Sequence, residues 1–343
     1  MTEFPATTIT ALVGQAVSDA FGASFEFHQD APEYAVMSWD EKRYLDAHVD
    51  VKRGRPDPTR LPGLYTDDTQ QALALLRAWG LSKDPTDGQE VATRFRSIIR
   101  LMGTEKNGHI HKGVHRGTGR NFRDVIRTGK PVDTAGLGAA MRIGPVVTLI
   151  DDPYLVAPWV IEVSSVTTTN PIALACAVIF AYACWQASHP GEVVPSLAAQ
   201  VAGIPSNIWE VCVEAHLIMG EEGEGGLLEF ARDTGLSNKP FSLAANGFAL
   251  TGVPWVIYHG MNAETFEDAL IGVCSNGGDT DTVGAMAGCL AALRLGRRAI
   301  PVWMLEQLLG RDHLFDPTLW HPVESERALL EGRCRDWKTT PKF

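Results

Sequence analysis

Ser275-Asn276-Gly277-Gly278-Asp279-Thr280-Asp281-Thr282 runs without a break into Val283-Gly284-Ala285-Met286-Ala287-Gly288-Cys289-Leu290-Ala291-Ala292, and this junction constrains the fold more than any other stretch. Two glycines release the backbone into a tight turn, and small polar residues then open a Gly/Ala-rich helix. Asp279 and Asp281 are crowded beside two threonine hydroxyls at the positive end of that helix. One Asp or Thr is enough for a helix cap. A second carboxylate two residues away adds repulsion that capping does not need, whereas a hard divalent cation takes several oxygens from one short loop. Cap and ion site both stand on this stretch alone.

Tyr65-Thr66-Asp67-Asp68-Thr69 repeats the pattern at the start of a second predicted helix, Gln70 to Trp79. Two helix starts loaded with Thr and Asp are unusual as caps. Brought together, they supply carboxylates and hydroxyls for one or two Mg²⁺-like ions with open water positions.

The rest of the chain reads as helix. Ile9, Leu12, Val13, Ala16, Val17 and Ala20 recur at helical spacing, predicting a first helix from Thr8 to Phe21. Gly14, Ser18 and Gly22 lie four apart on one face and admit another helix at close range. Asp19 lies in that face and reads as a buried hydrogen-bond acceptor; Glu26, just after it, is either a solvated residue or part of the acid set. Further helices are predicted at Gln89–Met102, Asn170–Ala187, Pro195–Ala202, Asn207–Met219, Pro240–His259, Ala263–Cys274, Asp281–Gly296 and Pro301–Leu309. Gly136 to Pro145 reads as a glycine-alanine helix stopped near the proline. Within it, Arg142 is expected to pair with a buried acid or to hold a phosphate. Strand-type alternation is confined to Val146-Val147 and Trp159–Val163. The expected fold class is all-α, a single multi-helix domain with close Gly/Ala packing.

Two segments fall outside this pattern. Residues 28–64 are rich in Pro, Gly and charge, and read as a long connection or lid. Lys106 to Arg120 contains His109, His111 and His115 at no standard zinc spacing, and reads as a basic Gly-rich loop. The domain is therefore set at 8–310 with a 28–64 insertion, followed by a C-terminal extension over 311–343 packing on the same domain.

Bulk numbers exclude some classes. A net charge of −11 over 343 residues argues against a chain devoted to binding nucleic acid. The six cysteines are scattered, without CxxC spacing, so neither a disulfide framework nor structural zinc is expected. No signal peptide is legible at the N-terminus. The most apolar run, Pro171 to Trp185, reads as a buried core helix rather than a membrane span. A cytoplasmic location, with no membrane partner, is the default expectation.

Gly14, Ser18-Asp19-Ala20, Gly22 and Glu26, then Tyr65-Thr66-Asp67-Asp68-Thr69, Gly138-Ala139-Ala140-Met141-Arg142 and Gly277-Gly278-Asp279-Thr280-Asp281-Thr282, in this order, resemble the ADP-ribosylglycohydrolases. That family includes the dinitrogenase reductase-activating glycohydrolases and the ADP-ribosyl-acceptor hydrolases. The resemblance runs from Ile9 to Leu309 and implies an all-helical domain with a binuclear metal cleft.

By position it implies two Mg²⁺ or Mn²⁺ ions held by Thr66, Asp67, Asp68, Asp279, Asp281 and Thr282. Glu26, Asp67 and Asp68 are the implied catalytic acids, with Glu26 positioning or activating water. Gly136 and Gly138 match the loop along the ADP-ribose, and Thr168 lies in the same substrate-contacting part. The chain departs from the family twice. Leu137 stands where an Asn is usual between the glycines, and Thr168 stands where a His is usual.

The implied function is hydrolysis of ADP-ribose from a modified protein side chain, with arginine linkage the first choice. The implied partners are that ADP-ribosylated protein and ADP-ribose itself. Serine-linked or free ADP-ribose derivatives are the alternatives. So is an immunity or binding protein that neutralises an ADP-ribosyltransferase toxin.

Overall fold

The structure is a computed structural model and describes residues 3–26, 49–50, 55–56, 62–102, 117–192, 201, 203–236 and 247–330. The helices are α1 (Ala6–Gly22), α2 (Asp67–Leu81), α3 (Gly88–Met102), α4 (Arg120–Thr128), α5 (Gly144–Val147), α6 (Pro153–Ser164) and α7 (Pro171–Ser188). The second half continues with α8 (Ser206–Asp233), α9 (Ala249–Asn262), α10 (Phe266–Cys274), α11 (Thr280–Leu295), α12 (Val302–Gln307), α13 (Arg311–Phe315) and α14 (Glu324–Leu330). Extended structure among the described residues is limited to a two-residue antiparallel pair, Val49–Asp50 with Arg55–Pro56, and two isolated bridges. The expected all-α domain is what the chain forms.

Its axis is the pair α1 and α11, which run antiparallel through matching rows of small residues. A Cβ on Gly14 would sit 2.7 Å from the Gly288 carbonyl oxygen, and one on Gly288 would sit 2.8 Å from that of Gly14. At the other end a Cβ on Gly22 would sit 2.9 Å from the Asp281 Cα. The backbones are therefore in contact along the whole seam, and no larger side chain fits there. Because the helices are antiparallel, the last turn of α1 is fixed against the first turn of α11. Helix α7 is apolar on all sides and buried, as such a helix must be. By length and composition it could cross a membrane, yet it lies 72% buried inside the protein. Asn170 caps it by accepting from the backbone N–H groups of Ile172 and Ala173, and Pro171 occupies its first turn.

Several expectations need correction. Gly136 to Pro145 is not a helix ended by proline. It is a 3₁₀ turn at Leu137–Ala139 followed by turns, and Pro145 sits in the first turn of α5. Glycine lowers helix propensity, while the fixed φ of proline suits a helix start. The strand candidates Val146-Val147 and Trp159–Val163 lie in α5 and α6. Asp152 caps α6 by accepting from the Tyr154 N–H, and Pro153 follows it, a start signal that outweighs a short β-branched run. Helix α8 continues well past Met219, broken locally at Gly223 where φ is 69°. Helix α4 lay unrecognised beside the basic loop. The predicted lid, the three loop histidines, the Pro195–Ala202 helix and the beginning of the Pro240 helix fall wholly or mostly outside the described residues.

The C-terminal helices pack on the start of α2. Buried Glu326 of α14 accepts from Tyr65 Oη (3.2 Å), Gln70 Nε2 (2.8 Å) and Trp320 Nε1 (2.6 Å). Leu309 N–H donates to the Gly63 carbonyl at 2.8 Å.

Candidate metal centre

Three helix ends meet at one pole: the C-terminal end of α1 and the N-terminal ends of α2 and α11. The first turn of α2 is capped from outside its own chain segment. Asp19 of α1 accepts from Thr66 N–H (2.8 Å), Thr69 N–H (3.1 Å) and Thr69 Oγ1 (2.6 Å). It thereby satisfies amide groups that a helix start leaves unpaired. The acceptor role read for Asp19 from the sequence agrees with this geometry. At the start of α11, Thr280 Oγ1 donates to the Gly22 carbonyl at 2.7 Å and ties that turn to α1.

The capping reading of the two Thr/Asp clusters now fails on geometry. Thr66 and Asp279 occupy the N-cap positions of α2 and α11, and neither makes a side-chain capping bond. Thr66 Oγ1 instead donates to Asp68 Oδ2 at 3.0 Å. Asp67 Oδ2 accepts from Gln71 Nε2 at 2.7 Å, one helical turn along. Asp281 Oδ1 accepts from the Thr282 N–H at 2.9 Å. Thr66, Asp67, Asp68, Asp281 and Thr282 are all buried.

Carboxylates from both clusters and from the end of α1 converge. One oxygen each from Glu26, Asp279 and Asp281 lies within 4.8 Å of the others. Asp68 belongs to the same patch. Its carboxyl is held well above the usual carboxylate range, first by burial and then by the negative charges of Asp281, Asp19, Asp67 and Asp279. Asp279 is raised for the same reasons, removal from water first and then Asp281 and Glu26, against a lowering hydrogen bond from the Thr282 hydroxyl. Asp19 is pushed up to about 7 by burial and by Asp281, although its bonds to Thr69 and Thr66 pull the other way.

A hard cation fits this donor set. Asp68 Oδ1 is buried and has no protein hydrogen-bond partner, an arrangement that costs free energy unless something else satisfies it. The ligating atoms on offer are all carboxylate and hydroxyl oxygens, which suit Mg²⁺ or Mn²⁺ rather than a soft metal.

The loop at Gly136–Gly138 stands beside this patch. Gly136 bridges Phe248, and the Ala249 N–H donates to the Ala135 carbonyl at 2.9 Å. Next to that bridge, a Cβ on Gly247 would sit 2.8 Å from Asp279 Oδ2, so Asp279 packs against bare backbone there. Leu137 is buried. The Thr168 hydroxyl donates to the Thr134 carbonyl (3.2 Å) and accepts from the Asn170 N–H (3.1 Å), clipping the chain that leads into this loop.

Arg142 does not form the contact ion pair expected of it. Its Nη2 donates to the Gly138 carbonyl and to Thr167 Oγ1 (2.9 Å). Burial pushes the guanidinium down to about 9, and Asp67 and Asp68 act in the opposite direction. Sequence reasoning missed Gln15, whose amide donates to the Asp68 and Met141 carbonyls at 3.1 Å each. It also missed Gln71, although the four-residue spacing from Asp67 was a usable signal.

Comparison with known proteins agrees with the geometry. The ADP-ribosylglycohydrolase family profile matches residues 6–333. The chain is 26% identical over 304 residues to ADP-ribosyl-[dinitrogen reductase] glycohydrolase of Rhodospirillum rubrum, covering 87% of this chain and 88% of that protein. It is 27% identical over 317 residues to the uncharacterized protein YegU of Escherichia coli K12, covering 84% and 88%. Among solved structures, an ADP-ribosylglycohydrolase-related protein complex has the same fold, with a TM-score of 0.53 at 23% identity over 95% of this chain and 97% of that one. The profile spans nearly the whole chain, and the chain belongs to the ADP-ribosylglycohydrolase family, a family of metal-dependent ADP-ribosyl hydrolases.

Proposed function

We propose that the protein hydrolyses the bond between ADP-ribose C1″ and an amino-acid side chain of a modified protein, with arginine-linked ADP-ribose preferred. The observation that carries this reading is the convergence of Glu26, Asp279, Asp281 and an under-satisfied Asp68 at one pole of a family member. In this reading Thr66, Asp67, Asp68, Asp279, Asp281 and Thr282 hold two Mg²⁺ or Mn²⁺ ions. Those ions, when bound, supply Lewis acidity toward the distal ribose oxygens and offset the crowded carboxylates.

Glu26 follows the last turn of α1 and is half-buried, so water reaches it more easily than it reaches Asp68 or Asp281. It accepts the proton of the attacking water as C1″ gains oxocarbenium character. Asp67, held by Gln71, and Asp68, held by Thr66, orient that water as well as serving as ligands. The backbone at Gly136 and Gly138 lets ADP-ribose lie close, and Thr168 shapes the wall behind it. Arginine is preferred because its guanidine leaves with little acid help.

Toxin neutralisation by blocking alone draws no support from the site or the relatives. The test incubates the protein and Mg²⁺ with arginine-, serine- and aspartate-linked ADP-ribosyl proteins and detects released ADP-ribose. Release from the arginine linkage first is the expected result. Release from none overturns the reading, and release from serine alone overturns the linkage preference.

A further inference from the structure

Among the described residues, Arg142 is the sole buried Lys, Arg or His side chain, with 1% of its surface exposed. Its guanidinium lies over the Phe95 ring at 5.4 Å and the Phe122 ring at 5.9 Å. Nη2 is used, by the Gly138 carbonyl and Thr167 Oγ1, while Nε and Nη1 have no hydrogen-bond partner. Leaving two charged N–H groups of a buried cation unsatisfied is costly.

The backbone places this cation against the acid cluster. Gln15 Nε2 donates both to the Met141 carbonyl, one residue from Arg142, and to the Asp68 carbonyl, each at 3.1 Å. Asp68 Oδ1 is itself buried without a partner. A buried cation and a buried carboxyl, both under-satisfied, therefore lie on neighbouring segments joined by one amide without closing on each other. The charges of Asp67 and Asp68 offset part of the burial cost of Arg142.

We propose that Arg142 is the internal counter-charge of the acid cluster: it holds the metal-free site together and for that reason opposes cation binding. Resting on the metal reading above, this makes Arg142 a positioning residue with a sign that a purely structural part would not share. A structural tie between Gly138 and Thr167 predicts that its loss loosens the pole and weakens the cation. A counter-charge predicts the opposite, since removing a fixed positive charge leaves the cation as the acids' only compensation.

The experiment titrates Mn²⁺ into the full chain, following free Mn²⁺ by electron paramagnetic resonance, for the unmodified protein, Arg142→Met and Arg142→Lys. Thermal melts in EDTA and in Mn²⁺ accompany each. Arg142→Met is expected to bind Mn²⁺ about tenfold more tightly, to melt lower in EDTA, and to gain more from Mn²⁺ than the unmodified chain. Arg142→Lys, which keeps the charge and loses the planar fork, is expected to stay within about twofold of the unmodified affinity. If Arg142→Met does not fold in EDTA, refolding with Mn²⁺ recovers it; failure to recover overturns the proposal. Equal or weaker Mn²⁺ binding by a folded Arg142→Met also overturns it while leaving the metal centre standing. No Mn²⁺ binding by the unmodified chain overturns both.

Discussion

Residues 65–71 touch two buried acid environments that differ in kind. On one side Tyr65 and Gln70 reach Glu326, a fully buried carboxylate that also accepts from Trp320. On the other side Thr66 and Gln71 reach Asp68 and Asp67, which face Asp19, Asp279 and Asp281. Glu326 accepts from three neutral donors, Tyr65, Gln70 and Trp320, and those bonds offset part of its desolvation. The acids at the pole repel one another, and Asp68 keeps an oxygen with no protein partner. A carboxylate that serves the fold is solvated by the protein. Carboxylates crowded beyond what the protein can solvate are arranged for a ligand that arrives from outside.

The largest effect that would break this comparison is on activity. Asp281→Asn is expected to lower ADP-ribose release by about a thousandfold or more while leaving helix content unchanged. Its EDTA-treated form should melt no lower than the unmodified chain, because one repulsive charge is gone from the cluster. Asp279→Asn should behave alike. Full activity with full metal content in the Asp281→Asn protein would place the chemistry elsewhere. Release assays, circular dichroism and metal analysis on the same preparation decide the matter.

Next in size is stability at the other site. Glu326→Ala strands the Tyr65, Gln70 and Trp320 donors inside the protein, and the expected cost is about 3 kcal/mol or more. Denaturant unfolding measures it. Mn²⁺ affinity of the folded variant should change by no more than about threefold, since Glu326 supports α2 from behind the pole. A large loss of affinity without loss of stability would erase the distinction between the two sites.

These two environments also show how much the sequence makes legible. Asp279, Asp281, Asp67 and Asp68 are readable because they are paired within short runs at helix starts, where capping cannot use them all. The helical spacing of α1 and its small-residue face likewise lead to the α1–α11 seam. Glu326 is not readable: two of its three donors lie 261 and 256 positions away, and one Glu in a charged helix resembles any surface residue. Asp19 reads as an acceptor, but its donors at Thr66 and Thr69 need the fold to name them. Pro145 and the valines after it mislead because proline both ends and begins helices, and short apolar runs lack a period long enough to decide.

A smaller effect sharpens the contrast through pH. Asp19 is raised to about 7 from an ordinary 3.8, and Asp68 and Asp279 are raised as well. A carboxyl raised on folding stabilises the folded chain fully below its unfolded pKa, and that contribution is lost as pH climbs through the folded value. The metal-free protein therefore loses this stabilisation between about pH 4 and 7, and further for the more strongly raised acids. On the proposed metal reading, a cation replaces those protons and reverses the trend at the same residues. The gap in melting temperature between Mn²⁺-loaded and EDTA-treated protein should widen steadily from pH 5 to pH 8. Taking the gap cancels groups distant from the pole, such as His259, whose imidazole burial holds down to about 4. A gap that stays flat or narrows would mean that the raised acids are not the ones a cation displaces protons from.

The smallest effect concerns Leu137 and Thr168, which by the family resemblance stand where an Asn and a His are usual in the proposed substrate wall. Leu137 is 3% exposed, so Leu137→Asn buries an amide with no built-in partner and costs about 1–3 kcal/mol in the ligand-free protein. If bound ADP-ribose lies along Gly136–Gly138, it can supply that partner. The variant should then melt lower alone yet gain more from ADP-ribose than the unmodified chain does. Thr168→His acts differently, because the Thr168 hydroxyl already bonds the Thr134 carbonyl and the Asn170 N–H. Its loss loosens the clip without offering ADP-ribose a partner in the ligand-free geometry, so a lower melting point with little added ligand gain is expected. Mn²⁺ affinity should be unchanged in both, since neither residue is among the proposed metal ligands. Differential scanning fluorimetry with ADP-ribose, alongside Mn²⁺ titration, separates the outcomes. Equal ligand gain in Leu137→Asn and the unmodified chain would remove position 137 from the substrate wall and leave the metal centre as the polar part of the site.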